Sequence, residues 1–317
     1  MRPSLALSSL AVLCVAAPAM ACLHPPSGFT GKVEESSQQI IVLHHDGEEE
    51  LILQVDYKLA KGDKAPEHIA WVVPTPSLPH GYKVEDPKLF RELSGLVKQQ
   101  DEKPKPKSIG GLRRGRGVPN GLVVHAKVSV GEYEITPLEA RGADAGKALN
   151  GWLTKGGYGA VPEANMAWYL KRNWTFLAIK INPQKATGDL GKAGAFRPLR
   201  IAFASDELVV PLKFSSHQGS FDVTITVITE SLQLDAMRSA AAPFGFSAVA
   251  WVRELKIPDS AKAVKALQAR LAKDSKVQLK RWAVLKLFGK QINRPRRSVA
   301  DWEDDFSLPA GKRPKAD

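Results

Sequence analysis

The residues of this chain that could do chemistry fall into small groups, and none completes a reaction centre. His44-His45-Asp46 offers two imidazoles and a carboxylate, the donor types of a metal site. On a strand, adjacent side chains point to opposite faces, so His44 and His45 do not converge on one ion; a solvated hairpin end is the favoured reading. Glu48-Glu49-Glu50, close to Asp46, makes an acidic cluster. It lacks the alternating oxygen ligands of a calcium loop and reads as a polar turn. Ser215-Ser216-His217 sets hydroxyls beside an imidazole, but a nucleophile and its base are joined by a fold, not by adjacency, and a polar loop is expected there. Neither Gly-x-Ser-x-Gly nor the phosphate-binding Gly-x-x-x-x-Gly-Lys-Ser/Thr pattern occurs. Cysteine is confined to Cys14 and Cys22, too few for a four-cysteine zinc centre. These residues assign no catalytic group, metal or cofactor.

The basic groups carry more weight. The formal charge is +12. Arg113-Arg114-Gly-Arg116 is one compact cluster. Lys276, Lys280, Arg281, Lys286 and Lys290 decorate a segment read as an amphipathic helix. Such a helix can lie on an anionic membrane surface or contact an envelope polyanion such as lipopolysaccharide. A helix docked on its own domain with a solvated lysine face is the plainer reading, and the favoured one. Trp71, Pro74 and Pro76 could line a peptide groove; a core tryptophan followed by strand-ending prolines is preferred.

The N-terminal stretch sets the compartment. Arg2 precedes an apolar run from Leu5 to Ala17, and Ala19-Met20-Ala21 precedes Cys22. This is the pattern of an export signal, with small residues at −3 and −1 and cleavage between Ala21 and Cys22. The expected location is periplasmic or extracellular, where nucleic acid is a disfavoured partner. Cys22 also sits where a lipoprotein cysteine would, although Ala19 replaces the usual leucine. Lipidation at Cys22 would anchor the protein to a membrane; a free N-terminal cysteine is the favoured alternative. No stretch after the signal is long and apolar enough to span a bilayer.

Three regions have to position these groups: a signal over 1–21, an α+β domain over 22–230 with a basic loop at 101–121, and a helical basic region over 231–317. The fold class expected is α+β, antiparallel β-sheets with interspersed helices and a helical basic C-terminal appendage. Residues 39–45 and 51–59 read as a hairpin around Asp46-Gly47, with Leu51, Leu53, Val55 and Tyr57 on one face. A strand over 68–73 is expected to stop at Pro74. Asp86-Pro87 opens a helix with a Leu89, Phe90 and Leu93 stripe. A hairpin is expected around Gly131, helices over 144–154 and 162–171, and a strand over 174–181. Strands over 199–203, 208–214 and 221–229 are read as an antiparallel meander. Ser260 would cap a helix, and a second helix is read over 276–292 from Leu279, Trp282, Leu285 and Phe288.

Several ordered pieces also carry a resemblance. They are Trp71-Val-Val-Pro-Thr-Pro76, Asp86-Pro87-Lys88-Leu89-Phe90, Val130-Gly-Glu-Tyr-Glu-Ile135, Leu149-Asn-Gly-Trp-Leu153, Gly157-Tyr158, Tyr169-Leu170, Trp174-Thr-Phe-Leu-Ala-Ile-Lys180, Pro198-Leu-Arg-Ile201 and Leu208-Val-Val-Pro-Leu212. Over residues 22–230 the chain resembles an exported bacterial family catalogued as domain of unknown function 2330. The resemblance implies an envelope location and an architecture, and no catalytic residue. The basic loop at 103–117 and the tail beyond 255 read as additions to it. The function expected is a non-enzymatic binding or scaffolding role in the envelope. The alternative is a hydrolase or other enzyme whose site is assembled only in the fold.

Overall fold

The computed structural model describes residues 23–26, 29–31, 33–59, 63–64, 66–96, 121–158, 160–185, 194–217, 220–230, 246–251, 261–280, 282–292 and 305–309. The export segment with Cys22, the basic cluster at Arg113–Arg116, Ser260 and Arg281 lie outside these residues.

The strands are β1 (Leu23–His24), β2 (Val33–His45), β3 (Glu48–Leu59), β4 (Ile69–Thr75), β5 (Gly81–Val84), β6 (Gly121–Val124), β7 (Val128–Val130), β8 (Tyr133–Arg141), β9 (Thr175–Ile181), β10 (Gly194–Ala195), β11 (Leu199–Ala204), β12 (Glu207–Val210), β13 (Phe221–Thr229), β14 (Ser247–Trp251), β15 (Ala283–Ile292) and β16 (Phe306–Pro309). The helices are α1 (Lys88–Leu96), α2 (Ala145–Lys155), α3 (Glu163–Lys171) and α4 (Ala261–Ala272), with a short 3-10 turn at Lys213–His217. The fold is α+β, as the alternation of strand and helix patterns predicts.

One sheet runs β1-β4-β9-β8-β6, with β7 also on β8. The larger sheet runs β14-β15-β13-β2-β3-β11-β5, with β10 also on β3, and β12 pairs with β16 in a two-stranded sheet. Most pairings are antiparallel; β13 runs parallel to β2.

Local chemistry explains the first hairpin. Asp46 and Gly47 both take positive φ, 52° and 81°, as a two-residue turn between right-twisted strands requires. That turn fixes the β2–β3 register from His45↔Glu48 back to Val33↔Leu59. Alternate residues then serve two cores. Ile40 and Val42 of β2, with Leu51, Leu53, Val55 and Tyr57 of β3, face the main core between the sheets. Ile41, Leu43 and Ile52 face the other way, into a second core covered by α1 and α4. The main core also takes Leu149 and Leu153 of α2 and Met166 and Tyr169 of α3. Asp86 Oδ1 accepts the Lys88 N–H at 2.8 Å and so caps α1, which buries Leu89, Phe90 and Leu93.

Four expectations are corrected. The helix read over 276–292 is a loop followed by strand β15. Ala283, Leu285, Leu287 and Gly289 alternate inward, and this two-residue period outweighs the three-to-four spacing of Leu279, Trp282, Leu285 and Phe288. Gly289 also disfavours a helix interior. The described part of this region is thus not helical throughout: 261–272 form α4, as read after Ser260, while β14 and β15 extend the larger sheet beside β13. The expected meander is not formed either: β11 pairs with β3 and β5, β12 with β16, and β13 with β2 and β15. Alternation fixes which face a strand buries, not which strand it joins. Finally, β4 continues through Pro74 to Thr75. Among the described residues its β1 neighbour pairs with Ala70 and Trp71 alone, so no described strand lies alongside Pro74 on that side, a position where proline is tolerated.

Candidate functional site

The lysines singled out from the sequence divide between two elements. Lys276 and Lys280 lie in the loop after α4, where their backbone N–H groups donate to Glu50 Oε1 (3.0 Å) and Glu230 Oε1 (2.7 Å). Lys286 and Lys290 lie on β15, two positions either side of Phe288, and strand alternation places all three on the outer face of the larger sheet. Phe288 is 41% exposed, an aromatic ring between two cations. Lys286 Nζ donates to Ser94 Oγ of α1 at 3.3 Å. Thr224 and Thr226 of β13 pair with Phe288 and Lys286 across the strand. A cleft of about 230 Å³ opens between α4 and the segment after it, lined in part by Leu43, Gln268, Val277, Leu279, Lys280 and Trp282.

The acidic run Glu48-Glu49-Glu50 is not a polar turn. Glu49 is fully buried and Glu50 is 1% exposed. Glu50 accepts from Arg200 Nη1 (3.1 Å), Ser275 Oγ (2.9 Å) and the Lys276 N–H. Arg200 Nε lies 2.9 Å from Glu85 Oε1, and its Nη1 also donates to the Leu271 carbonyl at 3.0 Å. One buried guanidinium therefore sits between two buried carboxylates and the end of α4. Lys83 reaches Glu85 from outside at 3.3 Å. Glu49 takes the Val209 N–H at 2.9 Å, and burial holds its carboxyl well above the usual range, partly opposed by that bond.

His44 and His45 do lie on opposite faces. His44 is buried with Nε2 3.0 Å from the Ser205 carbonyl oxygen, and burial lowers its pKa. His45 is half-exposed, 4.0 Å from the Glu230 carboxylate. Among the described residues no group of three or more His, Cys, Asp or Glu side chains is placed to hold a metal ion.

A further buried group had no signal in the sequence. Asp305, just before β16, receives the Tyr169 hydroxyl at 2.5 Å and the N–H groups of Lys213 and Phe306 at 3.0 Å. Tyr169 in turn accepts the Phe214 N–H at 2.8 Å. Desolvation raises the Asp305 pKa to about 7 against the pull of these donors. Ser215 is buried beside this group, and Gln38 Nε2 donates to its Oγ at 3.4 Å. The cleft there, bounded by Gln38, Gln54, Trp71, Leu212, Phe214 and Ser215, measures about 30 Å³. That is room for a water or two rather than a substrate. Trp71 is 6% exposed, a core residue at the edge of that cleft.

No helix among the described residues is long and apolar enough to cross a membrane. No curated protein matches the chain. Among solved structures, baculovirus P35 is similar with a TM-score of 0.37 and 10% sequence identity, over 88% of this chain and 97% of that one. A protein family matches residues 19–294, so the segment from 231 to 294 falls within the family's span rather than beyond it. By that match the chain belongs to the family described as "Uncharacterized protein conserved in bacteria (DUF2330)".

Proposed function

We propose that the protein is exported and acts at the cell envelope as a non-catalytic binding protein, meeting an anionic lipid surface through the outer face of β15. The observation that carries this reading is the exposed Phe288 between Lys286 and Lys290. An aromatic ring can enter the headgroup layer while flanking ammonium groups meet phosphates. Lys280 and the cleft beside α4, which precede β15 in the chain, add charge and apolar surface. The signal-like N-terminus supports the location, and acylation at Cys22 would place this face near a membrane permanently.

A reaction centre has weaker support. The perturbed acids, Glu49 and Asp305, are enclosed by packed side chains, and the cleft beside Ser215 is sized for water.

Co-sedimentation with phosphatidylglycerol-containing vesicles tests the reading. Each lysine near such a surface contributes about 1 kcal/mol, and a Debye length of ~10 Å at 0.1 M salt screens it. Binding should fall steeply with salt, and Lys290→Glu with Phe288→Ala should weaken it at least about tenfold, given that per-lysine figure. Equal binding by wild type and double variant, or salt-independent binding, would contradict the assignment.

A further inference from the structure

We propose that β16 is a proton-controlled latch, fastened to α3 and the 3-10 turn by the side chain of Asp305. The geometry is that of a bracket. Tyr169 and Asp305 are 136 positions apart and share one hydrogen bond. Asp305 Oδ1 takes the N–H of Lys213 from the 3-10 turn and that of Phe306 from β16. Phe306 is fully buried, stands 6.0 Å from Phe246 edge-on, and begins the ladder that pairs β16 with β12. One carboxyl thus joins a helix, a turn and the last described strand.

The donor pattern makes the bracket proton-sensitive. Tyr169 O–H and the backbone N–H groups all point at the carboxyl, with Leu212 adding a further backbone donor. A protonated carboxyl brings a hydrogen of its own and needs an acceptor. The Tyr169 oxygen is within reach, so the Tyr169 hydroxyl must turn as the proton arrives. The titratable groups that face Asp305 among the described residues are Tyr169 on α3 and Lys213, which meets it through the backbone. Glu207 lies at the far end of β12, opposite Pro309. Phe214, Phe246 and Phe306 complete an apolar surround.

The sign follows from burial. Released into water, Asp305 would ionise near its ordinary 3.8; latched, it holds its proton to about 7. The proton favours the latched form. That advantage is complete below the ordinary value, declines as pH rises through the interval up to about 7, and changes no further above it.

Hydrogen–deuterium exchange of the full chain between pH 5 and 8, corrected for intrinsic rates, tests this on residues 306–309. The opening equilibrium of wild type should rise about tenfold per pH unit up to about pH 7, then level off. In Asp305→Asn it should be independent of pH. Flat protection in wild type, or a slope that persists in Asp305→Asn, would overturn the latch. Should Asp305→Asn fail to fold, Tyr169→Phe serves instead. Losing the hydroxyl that donates to the carboxylate and accepts from the acid should move the levelling-off point, and an unmoved point would refute the bracket.

Discussion

Replacing Arg200 by methionine would leave Glu50 and Glu85 facing each other's interior with no guanidinium between them. Breaking a buried ion pair from one side costs roughly 3–5 kcal/mol, because the remaining charge is uncompensated. Denaturant unfolding of Arg200→Met should show a loss of that order; a loss under about 1 kcal/mol, the range of an exposed ion pair, would mean the network is solvated. His44 adds a pH dependence of the opposite sense to Asp305. Its pKa is lowered by burial, so stability is full above the ordinary histidine value of ~6.5 and declines as pH falls below it. Titrating wild type against His44→Gln should isolate that acid-side loss; curves that run parallel below pH 6.5 would contradict it. At this scale the sequence was least legible. Arg200 stands in the Pro198-Leu-Arg-Ile201 run, which marks the family resemblance but signals no ion pair, and its Glu50 partner is 150 positions away. The opposite facing of His44 and His45 was legible, because strand geometry alone dictates it.

Among elements, the hairpin at Asp46-Gly47, the helices α2 and α3, and strand β9 were readable because local rules decide them: a turn needing positive φ, a stripe at helical spacing, a proline or glycine break. Strand β15 was not. Trp282, Leu285 and Phe288 fall by coincidence at helical intervals, while Leu285 and Leu287 point inward together only in a strand. Substitution separates the two readings. In the strand, Leu287→Ala removes a fully buried side chain and should cost about 2–5 kcal/mol. Phe288→Ala removes an exposed one and should stay within ~0.5 kcal/mol. Thermal melts of the two variants give the comparison, and equal losses would return the segment to a helix with both residues on its buried stripe. The pairing of β13 with β2 and β15 was likewise hidden, since neighbours in a sheet are chosen by packing over long chain separations.

For the whole molecule, the residues after Glu230 are structural partners of those before it. β15 borders β13 along its length, α4 covers Ile41, Leu43 and Ile52, and Ser275 with Lys276 holds Glu50. A chain ending at Glu230 should therefore lose cooperative unfolding and expose the second core; a monomeric fragment that melts cooperatively by circular dichroism would show that the earlier strands suffice. Family membership and the α+β class were visible in the ordered motifs. The reach of the family to residue 294 was not, because the later strands carry few distinctive residues. The proposed role requires a protein that leaves the cytoplasm and works at an anionic envelope surface. Fractionation of whole cells with intact-mass measurement tests it most directly. The expected result is a mature chain beginning at Cys22 in the envelope fraction, released by salt or, if acylated, only by detergent. A chain retaining Met1 in the cytosolic fraction would contradict it.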